Sequence, residues 1–166
     1  MVMGARADNR LDLSEQNGAN AGAAYPIVAI GASAGGLDAI AKLLDKLEGV
    51  SGIAFLLVQH LDPTHESLLV DLLTRHTKMT VVQAMDGLEI LPDHLYIIPP
   101  GRYLSVQSNM LRVSEPDARH GARLPFDALL NSLASSFGAR AACVILTGTG
   151  TDGSLALAGF KDRGGH

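Results

Sequence analysis

Residues 26–36 read PIVAIGASAGG, and this stretch decides the fold. Its first half, 26–30, is a short β-branched apolar run without polar alternation, which is typical of a strand buried on both faces. Its second half is rich in glycine and leads into a helical pattern, in which Leu and Ile recur every three or four residues from Leu37 to Leu47 before Gly49 ends the helix. A buried strand, a glycine-rich turn and an amphipathic helix in this order predict the first unit of a parallel α/β sheet.

The same alternation continues along the rest of the chain. It predicts further strands at 53–58, 79–83, 94–98 and 141–146, and a hairpin of 103–106 and 111–113 joined through Ser108 and Asn109. It also predicts three further helices. The first begins at Asp62-Pro63 and has a buried stripe of Leu68, Leu69, Leu72 and Leu73, and the second begins at Pro125 with Phe126, Leu129, Leu130, Leu133 and Phe137 facing inward. The third runs from Ser154 to about Arg163. The expected fold is therefore α/β with three layers: a mostly parallel, doubly wound sheet of Rossmann-like topology with a small β-hairpin insertion.

The composition excludes several classes of protein. The 166-residue chain has 13 Lys and Arg against 17 Asp and Glu, a formal net charge of −4, 4% aromatic residues and no Trp, which together argue against a nucleic-acid-binding surface. Its 47% of hydrophobic residues is too high for a disordered chain, yet no stretch is long and apolar enough to insert into a membrane. The single cysteine, Cys143, lies in a predicted buried strand, which favours an inert thiol and a reducing compartment. We expect a cytoplasmic domain over 25–166, preceded by a disordered leader or linker over 1–24.

Three residues of complementary chemistry follow three of the predicted strands. Ser33 lies in the G-x-S-x-G stretch 31–35, His60 ends the second strand, and Asp152 lies in the glycine-rich segment 147–153. Parallel strands bring their carboxyl ends to one edge of the sheet, so these side chains are expected to lie together. A serine hydroxyl needs a base to become nucleophilic, and the resulting imidazolium needs an anion to orient it. We therefore predict a catalytic triad of Ser33, His60 and Asp152, in which the glycines allow a sharp turn at the serine.

Other readings of the same residues remain open. Gly31-x-Ser33-x-x-Gly36 is a degenerate form of the dinucleotide-binding motif, but the second strand ends in Gln59-His60, where that site requires an acidic residue. A catalytically silent docking module is a further alternative. The order Ser, His, Asp also differs from the order Ser, acid, His of the α/β-hydrolases. No cluster of ligands suggests a metal or a cofactor. We therefore expect His65, His76, His94 and His120 to be surface or supporting groups, and Met79 and Met85 to pack beside a strand.

Five motifs follow one another along the chain: Ile30-Gly31-Ala32-Ser33-Ala34-Gly35-Gly36, Val58-Gln59-His60, Ile98-Pro99-Pro100-Gly101, Arg123-Leu124-Pro125-Phe126-Asp127 and Leu146-Thr147-Gly148-Thr149-Gly150-Thr151-Asp152-Gly153. Through these motifs, residues 25–165 resemble the catalytic domain of the chemotaxis protein-glutamate methylesterases, the CheB type. The resemblance implies hydrolysis of glutamate γ-methyl esters on methylated chemoreceptor signalling helices, deamidation of receptor glutamines, and the same three catalytic residues.

Three departures from the family pattern shape further expectations. Members of the family usually carry a phosphorylatable receiver domain before the catalytic domain. Such a domain would need more than about 100 residues, and only 24 precede Tyr25, so we expect no phosphorylation control within this chain. Thr149 stands where many members carry Met. Together with His65-Glu66-Ser67-Leu68-Leu69, it makes the chain similar to the esterase modules that are fused to a receptor methyltransferase and sensor-kinase segments. Family members continue after Gly165 into another strand and helix. We therefore expect the domain to be truncated at its C-terminus and marginally stable.

Overall fold

A computed structural model of the chain describes residues 25–33, 35–47, 51–59, 66–116, 125–147 and 154–166. The predicted leader and the start of the helix predicted from Asp62-Pro63 lie outside these ranges. The domain boundaries that we expect from the sequence therefore stay a prediction.

Five parallel strands form the central sheet. They are β1 (Ile27–Ala32), β2 (Ala54–Gln59), β3 (Thr80–Gln83), β4 (His94–Ile97) and, after the two hairpin strands, β7 (Ala141–Thr147). Their order across the sheet is β3-β4-β2-β1-β7, and every pairing is parallel. The chain thus places β2, β4 and β3 on one side of β1, and β7 on the other side. The switch in direction lies at β1, as in other doubly wound sheets.

The hairpin consists of β5 (Tyr103–Gln107) and β6 (Met110–Ser114), which pair antiparallel. Ser108 takes a left-handed backbone conformation with φ 57°, as a tight two-residue turn requires. The Val106 N–H donates to the Ser132 hydroxyl oxygen at 3.0 Å, and the Ser136 hydroxyl donates to the Val106 carbonyl at 3.1 Å. The predicted hairpin and its turn are confirmed, and hydrogen bonds join it to the helix that carries both serines.

Four α-helices cover the two faces of the sheet. They are α1 (Leu37–Lys46), α2 (Glu66–Thr74), α3 (Pro125–Phe137), which continues into a 3-10 turn (Gly138–Arg140), and α4 (Ser154–Asp162). Side chains of α1 and α2 pack with Phe55 and Leu57 on one face, while those of α3, α4 and the hairpin pack with Leu56 and Val58 on the other. Alternate residues of β2 therefore enter two separate cores, which explains its continuous apolar sequence. The three-layer α/β fold is confirmed.

The structure corrects three details of the expected packing. Leu68 does not belong to the buried stripe of α2, because 62% of its surface is exposed, whereas Leu69 and Leu73 are buried. Met85 does not pack beside β3 and is 63% exposed, although Met79 does pack against the core. Cys143 is half-buried rather than enclosed, and desolvation raises the pKa of its thiol while the Lys161 ammonium partly lowers it.

Helix α4 ends in a glycine-capped turn that leads the chain back to the sheet. Gly164 has φ +87°, its N–H donates to the Lys161 carbonyl at 2.9 Å, and the Gly165 N–H donates to the Phe160 carbonyl at 3.0 Å, which is the Schellman pattern. His166 then donates to the Ala141 carbonyl at 3.0 Å and accepts from the Cys143 N–H at 2.7 Å. These two bonds are those of a parallel pair, so His166 lies beside β7. The further strand expected after Gly165 stays a prediction.

Candidate functional site

The strand order brings three segments of the chain to one edge of the sheet. Strand β1 lies between β2 and β7, and Ala32 is in register with Gln59 on one side and with Thr147 on the other. Adjacent strands lie about 5 Å apart, so the carboxyl ends of these three strands lie side by side. Ser33 follows β1 and His60 follows β2, while residues 148–153 follow β7. This edge beside the switch point is where doubly wound sheets bind their ligands.

Ser33 lies at the turn between β1 and α1, as predicted. Its side chain is half-buried, and its carbonyl oxygen accepts the N–H of Gly36 at 2.8 Å, which closes a tight turn. Gly36 is the N-cap of α1 and carries no capping side chain, while its carbonyl accepts the first helical N–H from Ile40 at 3.0 Å. The serine is therefore presented next to the N-terminus of a helix, where the helix dipole favours negative charge.

Gly31 is needed for a different reason from the one predicted. It lies within β1, not in the turn, and it is not among the glycines with positive φ. A Cβ on Gly31 would stand 3.0 Å from ring atoms Cε1 and Cζ of Phe126, which is closer than ordinary packing allows. The glycine therefore permits α3 to approach the strand that carries Ser33.

Strand β7 is irregular where it pairs with Gly31 and Ala32 of β1. Gly31 pairs with Ile145 and Ala32 pairs with Thr147, so Leu146 is an extra residue opposite β1. Such bulges bend a strand and re-aim the residues that follow it. The bulge therefore redirects the chain just before the segment 148–153.

Gln59 is a buried amide at this edge that the sequence reasoning used only to exclude a ribose site. Its side chain is 5% exposed, and its Nε2 lies 3.5 Å from the Ser33 carbonyl oxygen, at the outer limit of a hydrogen bond. Its Oε1 is buried and has no hydrogen-bond partner within the part of the chain that the structure describes. The amide thus lies directly under the turn that presents the serine.

Asp127 is the second residue that the sequence reasoning did not single out. It is 7% exposed, and its Oδ1 accepts the N–H of Ala156 at 2.7 Å. Its position in the first turn of α3 resembles an ordinary acidic residue at a helix start, so its sequence context alone does not reveal a tertiary contact. The only signal was its place at the end of the motif 123–127.

Of the predicted triad, Ser33 is described, whereas His60 and Asp152 lie outside the described residues. The structure therefore places the strand ends beside one another but leaves the triad a prediction. Ala34 and Thr149 also lie outside.

Two of the other histidines have structural contacts. His76 Nδ1 lies 3.0 Å from Asp45 Oδ1, and the ring of His94 stacks on Tyr96 with centroids 5.6 Å apart. His65 and His120 lie outside the described residues. Within the described ranges, no group of three or more His, Cys, Asp or Glu side chains is arranged to hold a metal ion. No helix in those ranges is long and apolar enough to cross a bilayer.

The fold and the serine at the switch point define a doubly wound α/β protein with its candidate site at the carboxyl ends of the strands. A family model described as CheB methylesterase matches residues 28–166. The chain therefore belongs to the CheB methylesterase family.

Relatives of known name or structure agree with this assignment. The chain is 36% identical over 143 residues to a protein-glutamate methylesterase/protein-glutamine glutaminase of Shewanella sp. (strain MR-4), a match that covers 84% of this chain and 40% of the relative. It is 39% identical over 97 residues to an uncharacterized 104.1 kDa protein of Rhodobacter capsulatus, covering 58% of this chain and 10% of that protein. The crystal structure of the Thermotoga maritima CheB methylesterase catalytic domain superposes with a TM-score of 0.75 at 29% identity, covering 85% of this chain and 77% of that one.

Proposed function

We propose that this chain is a serine hydrolase that removes the γ-methyl ester from glutamyl residues of chemoreceptor proteins, releasing methanol, and that it also deamidates receptor glutamines. The observation that supports the proposal is the register of Ala32 with Gln59 and Thr147, because the strands that precede Ser33, His60 and the segment 148–153 end side by side. The family membership and the methylesterase/glutaminase name of the Shewanella relative support the substrate class.

In the proposed mechanism His60 is the general base and Ser33 is the nucleophile. His60 accepts the hydroxyl proton as Ser33 Oγ attacks the ester carbonyl, and Asp152 stays ionised to orient and stabilise the imidazolium. The negative charge on the carbonyl oxygen is held by backbone N–H groups at the start of α1, including that of Ala34. The C–O bond to the methoxy group breaks, the imidazolium gives its proton to the leaving methanol, and an acyl-enzyme remains.

Hydrolysis of the acyl-enzyme completes the cycle. His60 removes a proton from water, the hydroxide attacks the acyl carbonyl, and the proton returns to Ser33 as glutamate leaves. With a glutamine substrate the same steps release ammonia in place of methanol. No cofactor or metal ion takes part in either reaction.

The partners belong to the proposal as well. The substrate is a methylated chemoreceptor signalling helix, and the reaction takes place in the cytoplasm. The chain spans 40% of the length of the Shewanella relative and 10% of the Rhodobacter protein, so its family domain occurs within longer proteins. We propose that this domain is fused to receptor-methyltransferase and sensor-kinase segments, because Thr149 and the segment His65-Glu66-Ser67-Leu68-Leu69 resemble the esterase modules fused in that way.

Covalent labelling tests the proposed nucleophile without any knowledge of the receptor. A fluorophosphonate should phosphonylate Ser33, and peptide mass spectrometry should locate the adduct there. Ser33→Ala should abolish labelling, whereas Ser135→Ala, which removes an exposed serine of α3, should leave it unchanged. Folded protein that takes up no label, or a Ser33→Ala variant that labels as fast as the parent, would contradict the proposal.

A further inference from the structure

Asp127 is one of two polar or charged side chains that the structure describes as buried, the other being Gln59. A buried carboxylate is costly unless it is hydrogen-bonded. Its Oδ1 accepts the backbone N–H of Ala156 at 2.7 Å, a distance typical of a strong, charge-assisted bond. The two residues are 29 positions apart, so this bond joins the start of α3 to the start of α4.

The bond reaches α4 at a point where a helix needs an acceptor. Helix α4 begins at Ser154, which makes Ala156 its third residue. The first N–H groups of a helix have no intrahelical partner, and a negative charge near them is favoured by the helix dipole. Asp127 therefore does for α4 what an N-capping side chain does, but from a neighbouring helix.

Phe126, the residue before Asp127, contacts the strand that leads into the serine turn. The ring of Phe126 packs on Gly31, two positions before Ser33, while Asp127 holds Ala156, four positions after Asp152. Two consecutive residues of α3 thus contact the strand that leads into the serine turn and the helix that follows the acid-bearing segment. On the partner's side, one contact is made by Gly31, which has no side chain, and the other by the backbone N–H of Ala156. Neither partner can therefore adapt by changing a side-chain rotamer.

We propose that Asp127 is a positioning residue that fixes the start of α4 and, through it, the segment 148–153 with Asp152, and this rests on the proposed function. The contact that carries this role is the bond from the Ala156 N–H to the Asp127 carboxylate. Loss of its acceptor leaves the start of α4 free to shift, and Asp152 then orients the imidazole of His60 less precisely. Misplacement by about 1 Å in such a system costs up to about 100-fold in rate.

Steady-state kinetics on a methyl-esterified receptor peptide tests the proposal. Asp127→Ala should lower kcat by about 10- to 100-fold with KM within about twofold, because substrate binding is untouched while alignment is lost. Asp127→Asn keeps an oxygen acceptor in place and should recover most of kcat. Ser132→Ala is the matched control, since it removes an α3 hydrogen bond to Val106 on the hairpin side. It should lower stability and leave kcat unchanged.

Two results would overturn the proposal: a folded Asp127→Ala variant with the kcat of the parent, or a Ser132→Ala variant that loses as much kcat as Asp127→Ala. If Asp127→Ala does not fold, Asp127→Glu replaces it. That variant keeps the charge but displaces the carboxylate by one methylene, so it should also lose kcat, and a kcat equal to that of the parent counts against the proposal.

Hydrogen exchange supplies a readout that needs no activity. In Asp127→Ala, amides of the peptide 148–158 should exchange faster than in the parent, while those of α1 should not change. Unchanged exchange at the start of α4 would refute the positioning role even if the parent hydrolysed no ester. A parent without Ser33-dependent hydrolysis, combined with the expected exchange, would instead refute the proposed function alone.

Discussion

The ring of Phe126 lies so close to Gly31 that a Cβ on the glycine would stand 3.0 Å from two of the ring carbons. This contact joins α3 to β1 two residues before Ser33, and the missing side chain of Gly31 is what allows the approach. A methyl group here forces the ring, the strand or the helix to move.

The first prediction is that Gly31→Ala destabilises the domain by about 1–3 kcal/mol, the usual cost of overpacking a core. Gly35→Ala is the control for stability, because a Cβ there has no atom within 4 Å. Denaturant melts of both variants measure the difference. Combining Gly31→Ala with Phe126→Leu should cost less than the sum of the two single changes, since the smaller side chain relieves the clash. If the destabilisation of the double variant equals the sum of the two single changes, the contact between Gly31 and Phe126 is contradicted.

The second prediction compares a glycine inside α4 with a glycine in the turn that follows it, for which we expect stability changes of opposite sign. Gly164 has φ +87° in the Schellman turn, so Gly164→Ala should destabilise by about 1–2 kcal/mol. Gly159 lies inside α4, where an added Cβ meets its nearest atom at 3.7 Å, so Gly159→Ala should stabilise by about 0.5–1 kcal/mol. Free energies of unfolding from urea titration check both, and equal signs would contradict the assigned end of α4.

The third prediction concerns stability at alkaline pH. Burial raises the pKa of Tyr25 and of Tyr96 above the ordinary value, chiefly by desolvation. The Tyr25 hydroxyl bonds to the Ile90 carbonyl and lies 2.8 Å from Asn109 Oδ1, while the Tyr96 hydroxyl donates to the Glu89 carbonyl at 3.1 Å. Both tyrosines therefore stay protonated in the folded state at a pH where the unfolded chain ionises.

Their contribution to stability is fully present below about pH 10, the unfolded pKa of tyrosine, and is lost as the pH rises through the folded values. Unfolding free energies measured from pH 8 to 11 should fall at the upper end. The Tyr25→Phe/Tyr96→Phe double variant should be less stable at pH 8 and should fall less steeply. Parallel curves for parent and variant would rule out these tyrosines as the cause.

The fourth prediction concerns the proposed base and its orienting acid. If His60 must be neutral to accept the proton of Ser33, kcat/KM should rise with pH through an apparent pKa of about 6–8. Asp152→Asn should lower kcat severely, by roughly 10⁴-fold if it acts as in other triads, because the amide favours the wrong imidazole tautomer. A profile that is flat from pH 5 to 9 is incompatible with a histidine base.

Much of the fold was predictable because it depends on local periodicity. The apolar run before Gly31, the stripe of α3 and the turn at Ser108 are all local signals, and the structure confirms each of them. The exposure of Leu68 and Met85 was not predictable, since it depends on which neighbouring element reaches that face. Propensity and pattern cannot tell an apolar residue at the rim of a stripe from one at its centre.

Part of the candidate site was also predictable from local sequence signals. Ser33 in a strand-to-helix turn follows from the motif, and its position at a sheet edge follows from the parallel topology. The role of Gly31 depends on Phe126 of α3, and the role of Asp127 depends on Ala156 of α4. Both partners are distant in sequence, so no local pattern contains either role. The bulge at Leu146 likewise appears only when β7 pairs with β1.

The most direct test of the account is the rate of methanol release from a methyl-esterified chemoreceptor helix peptide by the parent chain and by Ser33→Ala. The account predicts measurable release by the parent and a loss of several orders of magnitude in the variant, with little change in unfolding free energy, because Ser33 is only half-buried. A folded Ser33→Ala variant that released methanol at the rate of the parent would contradict it.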